Sequence, residues 1–99
     1  MELKQTTQFK RDLKRYKHAH DLLEELKNVL KELRDNGKVP EEYLPHPLHG
    51  DYKDCMECHV LDDFLLIWID KTKPIIKLVR LGSHSELYGK GRKDNFQVE

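Results

Sequence analysis

The segment "CMECHVLDDFLLIWIDKTKPIIKLVRL", Cys55 to Leu81, decides the fold. Its centre, "FLLIWI" (Phe64 to Ile69), is the longest apolar run in the chain and is of strand length. A continuous run of this kind reads as a central strand buried on both faces. "DKTKP" then reads as a turn, and "IIKLVRL" (Ile75 to Leu81) as the last strand. Ahead of the centre, "CMECHV" alternates. Met56, Cys58 and Val60 fall on one face, which is apolar, and Cys55, Glu57 and His59 fall on the other.

That alternation also weighs against a competing reading. "CMECH" matches the attachment string of c-type haem. Covalent haem belongs to exported chains and needs an axial partner, and Met56 lies inside the motif. Zinc is the stronger rival, because His46, His49, Cys55 and Cys58 are ligands of suitable type. On a strand, however, residues three apart point to opposite faces, and no glycine is present to make the tight knuckle a zinc pair needs. Pro47 interrupts the two histidines. Cys58 is expected in the core, as a small hydrophobe. His59 is expected on the exposed face beside Glu57. No metal and no cofactor are expected.

Upstream lie two helices. "ELKQT" reads as a short first strand, and Thr6 or Thr7 as the N-cap of a helix through about His18, with Phe9, Leu13 and Tyr16 on one side. Asp21 is expected to cap a second helix, whose stripe is Leu22, Leu23, Leu26, Val29, Leu30 and Leu33. Gly37 fits its C-terminal glycine position. "VPEEYLPHP" reads as a loop held by three prolines. Downstream, "SHSELYG" is a short capped turn or helix. The expected fold is therefore α+β: two N-terminal helices on one face of a small, mostly antiparallel four-stranded sheet, with a short C-terminal helical turn. The other face of the sheet is left for a ligand.

The chain has 99 residues, enough for one domain. Residues 1–89 are expected to form it, with 90–99 as a polar, basic, flexible tail. No apolar run approaches membrane length, and the start "MELKQTTQFKRD" lacks the pattern of an export signal. A cytoplasmic protein with reduced thiols is expected. Lys plus Arg equals Asp plus Glu, 18 each, so net charge is silent about partners. Its distribution is not. Lys10, Arg11, Lys14, Arg15 and Lys17 cluster around a lone acid, Asp12, and "GKGRK" is basic again. Such clusters permit RNA or ribosome binding, although a solvated helix face has the same composition.

Several acid–base groups in or near the sheet region could converge on the exposed face: His46, His49, His59, Asp63, Arg80 and His84. Cleaving RNA without a metal needs a base for the 2′-hydroxyl proton and an acid for the leaving 5′-oxygen. It also needs a cation for the charge building on the phosphate. Histidine serves as acid or base near neutral pH, arginine is the permanent cation, and Tyr88 offers a ring for a base to stack on.

"HPLHGDYKDCMECHVLDDFLLIW" followed by "LVRLGSHSELYG" resembles the YafQ-like branch of the RelE/ParE toxin superfamily, closely over about residues 44–89. The elements are "HPL.G", a strand histidine with an Asp four residues later, and "R-x-G-[ST]-H-x-x-L-[FY]". The resemblance implies a type II toxin–antitoxin toxin that cuts messenger RNA in the ribosomal A site. It carries His46, His59, Asp63, Arg80, His84 and Tyr88 into the site, with Glu57 as possible support. His84 is then the general acid and Arg80 holds the scissile phosphate. The base comes from Asp63 with His46 or His59. His49 and Cys55 have no counterpart. The Lys10–Lys17 cluster would grip ribosomal RNA, and the implied partners are a cognate antitoxin, the ribosome and mRNA, with no membrane. Two other readings stay open: an inhibitor of the same fold acting on another target such as gyrase, and a small zinc-binding interaction domain.

Overall fold

The computed structural model describes residues 1–88; the expectation of a tail at 90–99 lies outside them. The elements run β1 (Glu2–Gln5), α1 (Thr7–Arg15), α2 (His20–Asn36), β2 (His46–Pro47), β3 (Met56–Leu61), β4 (Phe64–Ile69), β5 (Ile75–Ser83) and α3 (His84–Tyr88). The sheet has five strands in the order β1-β5-β4-β3-β2, not the four expected. The extra strand is the pair His46–Pro47, inside the proline-rich segment read as loop. It pairs antiparallel with β3 at the sheet edge. A proline is tolerated there because an edge strand has one side without ladder partners. β1 is parallel to β5, and the other pairings are antiparallel.

β4 is central and buried from Leu65 to Trp68, as its unbroken apolar run requires. Its side chains alternate between two cores. Leu66 and Trp68 join Phe9, Leu22, Leu26, Val29, Leu33, Cys58 and Val60 beneath α1 and α2. Leu65 and Ile67 join Leu48, Cys55 and Leu87 on the opposite face. That face is thus partly roofed by the β2–β3 connection and α3, where an open surface was expected.

The helix ends differ in detail. Thr6 caps α1, accepting the Phe9 N–H on its hydroxyl at 3.1 Å. The helix stops at Arg15, short of His18. α2 begins at His20 behind Ala19, which makes no side-chain cap, so Asp21 is not the cap. It lies in the first turn, where its charge favours the positive helix end. Gly37 ends α2 at φ 73°, the left-handed conformation glycine adopts at no steric cost.

β1 covers only the first part of the β5 edge, from Ile75 to Leu78. Beyond it α1 takes over. The Thr6 N–H donates to Leu78 O, the Thr6 hydroxyl to Val79 O, and the Leu81 N–H to the Asp12 carboxylate at 2.9 Å. A helix cap and a helix side chain therefore satisfy strand groups that would otherwise be buried unpaired.

Candidate active site

Strand register builds the site. His46 pairs with Glu57, Glu57 with Ile67, and Ile67 with Arg80. Directly opposed residues share a sheet face, so these four form one row across β2, β3, β4 and β5. The next row is His59, Leu65 and Gly82. Gly82 leaves little room: a Cβ there would stand 3.2 Å from Leu87 Cδ2 and 3.3 Å from Glu86 Oε1. α3 thus settles directly on the second row.

α3 is launched by a reciprocal cap. The Ser83 hydroxyl accepts the Glu86 N–H at 3.2 Å, and the Ser83 N–H donates to Glu86 Oε1 at 3.0 Å. His84 then occupies the first turn, exposed, with its backbone N–H donating to Asp63 O at 3.0 Å. Its ring lies 5.1 Å from that of Tyr88. One helical turn on, the Tyr88 hydroxyl donates to Glu57 Oε2.

Glu57 is the buried hinge of the site, only 4% exposed. Its other oxygen faces His46 Nε2 at 3.0 Å, and His46 Nδ1 lies 2.9 Å from Leu44 O. A carbonyl only accepts, so the Leu44 contact favours the tautomer with hydrogen on Nδ1. Burial first, then the Glu57 carboxylate, push the Tyr88 phenol far up, which keeps it protonated and donating.

His59 lies beside this pair, its ring 6.1 Å from that of His46. It is half-buried, and no hydrogen bond is recorded for its ring among the described residues. Ligand atoms of His46, Glu57 and His59 all lie within 4.8 Å of one another. Two imidazoles and a carboxylate suit a divalent transition ion. The Cys2His2 site is not formed, because Cys58 and Cys55 belong to different cores on opposite sheet faces. His49 is exposed.

Arg80 is held more tightly than the sequence suggested. Its Nε donates to Asp12 Oδ2 at 2.9 Å and its Nη2 to Asp12 Oδ1 at 3.3 Å. The guanidinium also donates to the Tyr52 hydroxyl oxygen. Burial works against the cation, but the Asp12 carboxylate and the Tyr52 hydroxyl together outweigh it, and the arginine is driven further toward its charged form. Burial raises the Tyr52 phenol, and Arg80 offsets part of that rise.

Asp12 and Tyr52 were missed by sequence reasoning. For Asp12 a signal existed: it lies three residues after Phe9 and four before Tyr16, on the apolar side of α1. Asp63 is the one predicted site residue less integrated than expected. Its carboxylate is exposed, and no hydrogen bond or ion pair is recorded for it among the described residues. Lys10, Arg11, Lys14, Arg15 and Lys17 are all exposed on α1 and the turn after it, and Arg15 reaches Glu86 of α3 at 3.5 Å.

Three helices on a mixed five-stranded sheet, with histidines, a buried carboxylate and an arginine in adjacent cross-strand rows, give a RelE-like α+β fold. A family model for the YafQ toxin of bacterial type II toxin–antitoxin systems matches residues 1–89, and the chain belongs to that family. The mRNA interferase toxin YafQ of Escherichia coli K12 is 31% identical over 83 residues, covering 83% of this chain and 89% of the relative. Crystalline YafQ from E. coli BL21(DE3) superposes with a TM-score of 0.80 at 28% identity, over 89% of this chain and 98% of that one. YafQ in complex with DinJ from E. coli gives 0.77 at 29% identity, over 89% and 97% or 98% of the two chains. A metal-bound toxin from Helicobacter pylori gives 0.75 at 36%, over 88% and 98%. Among the described residues, no helix is long and apolar enough to cross a membrane.

Proposed function

We propose that this chain performs the mRNA interferase reaction of its family by general acid–base transfer on the face formed by β2, β3, β5 and α3. The observation that carries the reading is the cross-strand row His46–Glu57–Ile67–Arg80. It sets a contacting histidine–glutamate pair and a fixed cation on one surface, flanked by His59 and His84.

The division of labour follows from which groups are already engaged. Both nitrogens of His46 face acceptors within the protein, so it is poorly placed to take a substrate proton. His59 has its ring open and is the general base for the 2′-hydroxyl, with exposed Asp63 available to steady the substrate side. Arg80 holds the phosphate as the 2′-oxygen attacks. Exposed His84 gives a proton to the leaving 5′-oxygen. Tyr88 keeps Glu57 in place and offers its ring to a base. The α1 cluster supplies sequence-independent attraction to ribosomal RNA, screened by salt. A cytoplasmic setting and neutralisation by an antitoxin, as in the E. coli DinJ–YafQ complex, complete the reading.

Mapping transcript ends after brief induction tests it. Discrete new ends are expected with wild type and not with His59→Ala or His84→Ala. Growth arrest with uncut messages would instead favour a different target, such as gyrase. The His46–Glu57–His59 donor set supports a second expectation: added zinc slows cleavage, because a ligated His59 has no lone pair left for the substrate proton.

A further inference from the structure

Asp12 is the one acid inside the basic run Lys10 to Lys17, and it is fully buried. A buried carboxylate is costly unless donors surround it. Four do: Arg80 Nε, Arg80 Nη2, the Leu81 N–H and, at 3.3 Å, Gln8 Nε2. We propose that Asp12 is a positioning residue for catalysis, holding the Arg80 guanidinium at the phosphate position. The proposal rests on the reading of Arg80 as the phosphate-holding cation.

The geometry is specific. A guanidinium has five N–H groups. Asp12 grips Arg80 side-on through Nε and Nη2, which leaves one N–H on Nη2 and both on Nη1. One of these three donates to the Tyr52 hydroxyl. The arginine is thus locked along one edge, and two donors remain for a phosphate. Asp12 also holds the backbone N–H of Leu81, the next residue. The side chain and the strand that carries it are therefore set by one carboxylate. Because Asp12 belongs to α1, the helix bearing the exposed cations and the cation at the reacting phosphate are placed relative to each other by that contact.

The test is a double-mutant cycle with Asp12→Asn and Arg80→Gln, read by kcat and KM on a short RNA. Asparagine keeps an oxygen for Leu81 and loses the charge. Asp12→Asn is expected to lower kcat about 10- to 100-fold, the scale of a small misplacement of a reacting group, and to leave KM nearly unchanged. In the Arg80→Gln background it should have no further effect. An equal loss in both backgrounds, or a wild-type kcat for Asp12→Asn beside an impaired Arg80→Gln, overturns the proposal for Asp12 alone. A wild-type kcat for Arg80→Gln instead overturns the reading of Arg80, and the proposal falls with it. Should Asp12→Asn not fold, nitrogen-15 NMR of the wild type decides. The Arg80 Nε–H is expected to exchange with water far more slowly than that of exposed Arg11. Equal exchange overturns the proposal.

Discussion

Replacing Glu57 by glutamine separates shape from charge at the centre of the site. The glutamate accepts from Tyr88 on one oxygen and faces His46 Nε2 on the other at 3.0 Å. In the variant, the amide oxygen still accepts from Tyr88, and the amide NH2 donates to a neutral His46 ring. The contacts survive and the charges do not. Charge-assisted hydrogen bonds contribute about 1.5–3 kcal/mol and neutral ones about 0.5–1.5. Two exchanged bonds therefore remove roughly 2–3 kcal/mol. At about 1.36 kcal/mol per factor of ten, this limits the loss of rate to roughly 30- to 150-fold if both bonds tighten fully in the transition state. The assay is single-turnover cleavage on programmed ribosomes, with a thermal melt to show that the variant is folded. A wild-type rate in folded Glu57→Gln would refute the reasoning that the Glu57 charge between Tyr88 and His46 supports catalysis. A loss on the order of 10³-fold or more would also refute the assignment, because it would identify Glu57 as the proton acceptor in place of His59.

Three further outcomes are expected. Gly82→Ala, whose methyl would stand 3.2 Å from Leu87, should displace α3, moving His84 and Tyr88; message cleavage should fall more than the melting temperature does. Cys55 is 6% exposed with its thiol raised by burial, so Cys55→Ser should keep activity and iodoacetamide should label native protein slowly at neutral pH, as mass spectrometry would show. Burial pushes the Cys58 thiol up from 9.0 to about 12. The neutral thiol is favoured in the fold, so its contribution is whole below pH 9 and is lost as pH rises through about 12. Melting temperature should therefore decline less steeply above pH 9 in Cys58→Ala than in wild type.

Much of this site was legible in the letters. Alternation along "CMECHV" separates Cys58 from His59, and the two residues do face opposite ways, one into the core under α2 and the other toward the site. The apolar run Phe64–Ile69 marks the central strand, because only a strand covered on both faces tolerates it. Period and spacing are local properties, and they survive folding unchanged. His46 was legible as a candidate but not as a strand residue. Two residues with a proline carry no strand signal, and their conformation comes from pairing with Glu57 and Met56.

What the sequence by itself determined is which residues share a face within one element: Glu57 with His59 on β3, and Asp12 with Phe9 and Tyr16 on α1. Which faces meet was decided only in three dimensions. The row from His46 to Arg80 depends on the registers of three strand pairs. The grip of Asp12 on Arg80 joins residues 68 apart in the chain. Register and helix docking are set by the simultaneous burial of both cores, a property of the whole chain that no single window contains. The physical reason is therefore one of range: side-chain periodicity acts over a few residues, whereas the placement of charge against charge is fixed by packing across the fold.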